Sequence, residues 1–141
     1  MALKGQNLII YTDGVSRGNP GDAGIGVVFK DSKGTVIDEI GKYIGTTTNN
    51  VAEYTALVNA LEYAVKHRAA SADIFLDSEL VVRQMNGVYR VKDENLAVLF
   101  NKAQMLIKKI KKVTLTHIPR EKNKEADKLA NKSVNLHLSK K

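Results

Sequence analysis

The sequence predicts an α/β domain: a five-stranded mixed sheet, an antiparallel meander plus parallel strands, flanked by helices. Three observations predict it. Short apolar runs rich in β-formers alternate with segments of helical period in the order βββαβααβα. The first three runs are joined by turn-forming connections, as in a meander, whereas the later ones return through helices, as parallel strands must. Two of the runs stop at an aspartate, Asp13 and Asp77, beyond the carboxyl ends of strands where ligands collect in such sheets.

Leu8-Ile9-Ile10-Tyr11 is a short apolar run ended by Asp13-Gly14 and reads as a buried strand. A glycine-rich connection from Gly14 to Gly24 follows, containing Gly18-Asn19-Pro20-Gly21. Ile25 to Phe29 reads as the second strand, Asp31 to Gly34 as a turn, and Thr35 to Ile44 as the third strand. Thr46 to Asn50 offers several capping side chains, and a helix is expected from Val51 to about Lys66. Its Leu57, Leu61, Ala64 and Val65 recur at the spacing of one buried stripe. Ile74-Phe75-Leu76 is the fourth strand, and Leu80 to Met85 a short helix closed by Asn86-Gly87. Leu96 to about Lys109 is a third helix with an apolar face. Val113 to Ile118 is a fifth strand stopped by Pro119, and a last helix is expected from about Lys122 towards Leu136. The 141 residues are expected to form one domain, 1–141, in which the tail after about 133 is left open between packed and loose.

A hydrophobic content of 43% supports a real core rather than disorder. No run approaches the roughly 18 consecutive apolar residues of a membrane span, and the first ten residues lack a signal peptide's pattern. The absence of cysteine excludes disulfides, thiolate metal sites and thiol chemistry. A cytoplasmic location is the expectation. The net charge is +7, unevenly spread: residues 1–101 carry 10 Lys and Arg against 12 Asp and Glu, residues 102–141 carry 12 against 3. A basic final third either meets a polyanion or is a solvated helix face.

Asp13, Glu53, Asp77 and Asp127 are the candidate chemical groups. Each has a bland explanation: Asp13-Gly14 as a turn, Asp77 beside a cap, Glu53 and Asp127 as charges favoured near helix N-termini. The predicted sheet nevertheless brings all four elements to one edge. Clustered carboxylates repel unless a cation sits among them. An all-oxygen set suits Mg²⁺ or Mn²⁺, and two such ions roughly 4 Å apart support phosphodiester hydrolysis.

Four segments carry a family pattern: Tyr11-Thr12-Asp13-Gly14 with Gly18-Asn19-Pro20-Gly21; Thr47-Thr48-Asn49-Asn50-Val51-Ala52-Glu53; Leu76-Asp77-Ser78; and Asn123-Lys124-Glu125-Ala126-Asp127. In this order and spacing, from about Leu8 to Ser133, the sequence resembles ribonuclease H, type 1. The resemblance implies the ribonuclease H-like fold and cleavage of the RNA strand of RNA–DNA hybrids to 5′-phosphate and 3′-hydroxyl ends. It implies that Asp13, Glu53, Asp77 and Asp127 hold two Mg²⁺ or Mn²⁺ ions. Asp13 and Asp77 would lie between them, Asp127 at the ion that activates water, and Glu53 at the leaving oxygen and near the ribose 2′-OH. It further places the Gly14 backbone, Asn19 and Asn49 near the minor groove, and Thr48, Asn50 and Ser78 near the substrate backbone. Such recognition reads shape and 2′-OH groups, so weak sequence preference is expected. Some compact relatives also cut double-stranded RNA, which the resemblance leaves open here. No membrane contact is expected, and the protein is expected to act as a monomer.

The sequence departs from many relatives in three places. Gly87-Val88-Tyr89-Arg90-Val91-Lys92 replaces a basic, tryptophan-bearing insertion. This leaves Tyr89, Arg90, Lys92 and the lysines at 102, 108, 109, 111 and 112 as candidate contacts to the DNA strand. Glu79 stands where many relatives carry a neutral amide, so one substrate contact is expected to be lost. His117 alternates with Val113 and Leu115 and is expected to face the core, which makes Arg120 the preferred contact to the scissile phosphate. Two rival functions remain: a hybrid- or duplex-binding module without catalysis, and another nuclease on the same scaffold.

Overall fold

A computed structural model describes residues 5–140; residues 1–4 and 141 lie outside the described residues. Strands β1 (Asn7–Gly18), β2 (Gly21–Lys30) and β3 (Val36–Thr47) precede helix α1 (Asn49–Lys66), strand β4 (Ser71–Leu76) and helices α2 (Glu79–Met85) and α3 (Glu94–Ile107). Strand β5 (Lys112–His117), a 3-10 turn (Arg120–Lys122) and helix α4 (Lys124–Ser139) complete the chain. The sheet order is β3-β2-β1-β4-β5. The first three strands are antiparallel neighbours, and β4 and β5 run parallel to β1. The expected five-stranded mixed sheet is therefore what the chain forms.

The first connection differs from expectation. Gly14 to Gly24 is no loop: β1 continues through Asp13 to Gly18 and pairs back onto β2 down to Gly18 opposite Gly21, around a cis Asn19-Pro20 bond. An antiparallel ladder is closed by backbone groups, so this projecting hairpin needs no apolar run to form. Helix α1 starts two residues earlier than expected, at Asn49, with the Thr48 hydroxyl accepting from the Val51 N–H at 3.3 Å. Helix α4 extends to Ser139; Val134 is fully buried, and the His137 ring stacks on Tyr43 at 3.5 Å.

Leu8 and Ile10 of β1, Val27 and Phe29 of β2, and Ile74 of β4 share the α1 face and form the core with Leu57 and Leu61. On this side α1 lies between the sheet and α3. The opposite face is covered by α4 across β2, β3 and β1. That approach is close because β2 presents glycine to the helix. A Cβ at Gly26 would stand 2.0 Å from the Ala126 carbonyl oxygen, and one at Gly24 would stand 2.2 Å from the Ser133 hydroxyl. At Gly41 of β3, by contrast, the nearest atom would lie 3.4 Å away, at the Leu129 oxygen. Urea unfolding should therefore show Gly26→Ala losing about 3 kcal/mol through forced separation of α4 from the sheet. Gly41→Ala should change stability by less than about 1 kcal/mol. Equal effects at the two positions would refute this packing.

Candidate active site

β1 and β4 run parallel in register with Thr12 beside Leu76. The next residue of each strand, Asp13 and Asp77, thus emerges side by side where that ladder ends. Asp13 is not the end of its strand, as expected from sequence, but sits within β1 opposite Gly26 of β2. Gly26 is the glycine that admits α4, and Ala126 rests on it. Asp127, the next residue, is thereby delivered to the same edge. Glu53 arrives from the other face on α1. Its carboxylate accepts from the Gly14 N–H, and the approach requires glycine, since a Cβ there would stand 2.3 Å from the Ala52 carbonyl carbon.

One carboxylate oxygen from each of Asp13, Glu53 and Asp77 lies within 4.8 Å of the others. Asp13 and Glu53 are only 4% and 6% exposed, and Asp77 is partly exposed. Asp127, also partly exposed, borders the group through Asp13 and is held by Asn131, whose Nδ2 donates to its carbonyl and carboxylate oxygens. Burial foremost, then the charges of Glu53 and Asp77, push the Asp13 acid well above the usual carboxylate range. Burial also raises Glu53, against the opposing pull of Asp13, the Gly14 N–H and the positive charge of Arg120.

The donor set suits a hard divalent cation. All ligand atoms are carboxylate oxygens, they converge, and Asp13 Oδ2 is buried with no hydrogen-bond partner among the described residues. Asp13, Glu53 and Asp77, with Asp127 at the margin, are the residues able to hold such an ion.

The remaining predicted residues surround this group. Asn19, at the hairpin tip, accepts from the Asn49 N–H at 3.2 Å, and Asn49 and Asn50 are exposed on the first turn of α1. Thr48 and Ser78 cap α1 and α2 by accepting backbone N–H groups at 3.3 Å, which leaves each hydroxyl hydrogen free to donate. Gly14 is buried, with its N–H taken by Glu53. Arg120 is exposed on the 3-10 turn, with its charge acting on Glu53.

One expectation is corrected. His117 is exposed rather than core-facing: it shares the face of Val113 and Leu115 but is the last residue of an edge strand. Lys108, Lys109, Lys111 and Lys112 lie towards the other end of the β4–β5 ladder from the acids. Lys112 pairs with Ser71 at the start of the β4–β5 ladder, whereas Asp77 follows its final pair, Leu76 and His117, about 20 Å along the strand. Lys102 is paired with Glu62 at 3.3 Å. The Tyr89–Arg90 loop is nearer: Gln84 accepts from the Tyr54 hydroxyl at 2.6 Å and donates to the Arg90 carbonyl at 3.4 Å, and Tyr54 follows Glu53 on α1. Glu79 forms a helical ion pair with Arg83 at 3.0 Å.

Sequence reasoning missed Asn123 as a site residue. It is 1% exposed and donates to the Thr12 carbonyl and to Asp77 Oδ2. It stood only as the first residue of the motif that carries Asp127, and an Asn four residues before an acid gives no signal of its own in the sequence.

Without a cation, the raised acids carry a stability signature. A carboxyl held above its unfolded value stabilises the fold fully below that value and ceases to do so as pH rises. The Asp13 contribution therefore falls from about pH 4 through neutrality. In EDTA, Asp13→Asn should be more stable than wild type by roughly 2 kcal/mol near pH 7.5, with the gap closing towards pH 4. A pH-independent difference in thermal unfolding would contradict the burial of this charge.

The family described as "Reverse transcriptase-like" matches residues 11–133. The bifunctional protein Rv2228c of Mycobacterium tuberculosis is 44% identical over 128 residues; the match covers 90% of this chain, which spans 35% of that protein's length. The solved N-terminal RNase H domain of the same protein superposes with a TM-score of 0.88 at 43% identity, covering 91% of this chain and 98% of that one. RNase H1 of the archaeon Halobacterium salinarum gives a TM-score of 0.89 at 38% identity, covering 92% and 98%. LC11-RNase H1, isolated from compost and solved in complex with an RNA/DNA hybrid, gives 0.87 at 48% identity, covering 93% and 99%. By four motifs in order, by fold and by these relatives, the chain belongs to the ribonuclease H, type 1 family, in a compact form without the basic protrusion.

Proposed function

We propose that this chain is an endoribonuclease that hydrolyses the RNA strand of RNA–DNA hybrids, leaving 5′-phosphate and 3′-hydroxyl ends. The observation that carries this reading is the convergence of Asp13, Glu53 and Asp77 within 4.8 Å, with a buried Asp13 oxygen unpartnered. Bound Mg²⁺ or Mn²⁺, two ions when substrate is present, would neutralise the phosphate, activate water and stabilise the leaving oxygen. The hybrid-bound relative supports the substrate class. So does the surface around the carboxylates, where exposed amides of Asn19, Asn49 and Asn50 and the hydroxyls of Thr48 and Ser78 can bond sugar and phosphate without reading one base. All four acids come from one copy, so a monomer is sufficient.

In this reading Glu53 does two things. It is fixed by the Gly14 N–H, and it stands where a ribose 2′-OH would be sensed. Arg120, whose charge already acts on Glu53, contacts the phosphate. Double-stranded RNA is a second substrate that the same minor-groove chemistry would accept.

A labelled RNA–DNA hybrid, incubated with Mg²⁺, Mn²⁺ or EDTA, tests the reading. Cutting of the RNA strand should require metal and fall at least 10³-fold in Asp13→Asn. Arg120→Ala should lower turnover about 10-fold, and His117→Ala less than about 3-fold, consistent with about 1.4 kcal/mol per tenfold change. Duplex DNA should resist. Tight, salt-sensitive binding without cutting would support the binding module, and cutting of duplex DNA the alternative nuclease.

A further inference from the structure

We propose that Asn123 is a positioning residue that holds the Asp77 carboxylate in place for a divalent cation while tying the start of α4 to β1. The proposal rests on the reading of the carboxylates as a cation site.

Asn123 occupies the N-cap position of α4, yet its side chain makes no cap bond. A capping Asn would turn its oxygen to the helix N–H groups. Here the amide nitrogen instead donates to the Thr12 carbonyl at 2.8 Å and to Asp77 Oδ2 at 3.2 Å. Both partners are acceptors only, so chemistry fixes which end of the amide faces them. Oδ1 is left buried with no partner among the described residues, which costs the fold free energy. A residue serving only local stability would not incur that cost.

The connections explain what the cost secures. Thr12 precedes Asp13. The Asn123 carbonyl accepts the Asp127 N–H at 3.1 Å. Through one side chain and one carbonyl, Asn123 is thus joined to Asp77 directly, and to the backbone at or beside Asp13 and Asp127. Asp77 is the acid of the converging trio that needs such a constraint. Glu53 is bonded by Gly14 and Asp13 is buried, whereas Asp77 lies at a strand end, partly open to water. Donation to Oδ2 restricts carboxylate rotation and so fixes how Asp77 presents its oxygens to a cation, as outer groups do for ligands in metal sites generally.

The test is a double-mutant cycle read as Mn²⁺ affinity, measured from the electron paramagnetic resonance of free Mn²⁺ without substrate. Asn123→Ala should weaken Mn²⁺ binding about 10-fold or more in the wild-type background, and by less than 2-fold in an Asp77→Ala background. Asn123→Leu, which keeps volume but cannot donate, should behave as Asn123→Ala and replaces it if alanine does not fold. Wild-type affinity in either variant would overturn the proposal. An equal loss in both backgrounds would also overturn it, by showing a general loosening of the fold. If Asp77→Ala itself leaves Mn²⁺ binding unchanged, the cation-site reading fails, and this proposal fails with it.

Discussion

Asp13 and Glu53 are almost wholly withdrawn from water, and Asp77 stands within 4.8 Å of both. In that setting three negative charges repel strongly, because low polarizability around them weakens screening. Without a counter-charge the site can relieve the repulsion only by keeping protons, and the raised Asp13 and Glu53 acids express this. Much of the architecture serves to keep the group assembled against its own repulsion.

Three backbone features do the assembling. The in-register parallel ladder sets Asp13 beside Asp77. Gly14 lets α1 approach until Glu53 meets its N–H, and Gly26 lets α4 settle on β2 so that Asp127 reaches the same edge. Each is a contact between main chains, which is why a single methyl group at Gly14 or Gly26 has nowhere to go. Such rigidity suits a site that must present oxygen atoms at fixed spacing to a small hard ion.

The elements were legible where side-chain burial dictates them. The α1 stripe at Leu57, Leu61 and Ala64 and the Ile74–Leu76 run announce their conformation through periodicity, and the four acids through ordered motifs. The β1–β2 hairpin beyond Asp13 was not legible, because a projecting antiparallel ladder is held by backbone bonds and leaves no apolar signature. Alternation told correctly which face His117 shares, but not that it ends an edge strand and is exposed there. The positive charge of Lys108 to Lys112 was plain, while its distance from the acids depends on strand direction. The role of Asn123 was not legible, because it depends on the tertiary approach of its amide to Thr12 and Asp77.

Read as a divalent-cation site, the buried acids should release protons when the ion binds, because Asp13 and Glu53 are raised above the ordinary carboxylate range. Calorimetric titration with Mn²⁺ in buffers of different ionisation enthalpy measures this directly, since protons displaced from ligands appear as buffer heat. Saturable binding with release of protons at neutral pH, reduced in Asp13→Asn, is the predicted result. Binding with no proton release, or no saturable binding at all, would contradict it.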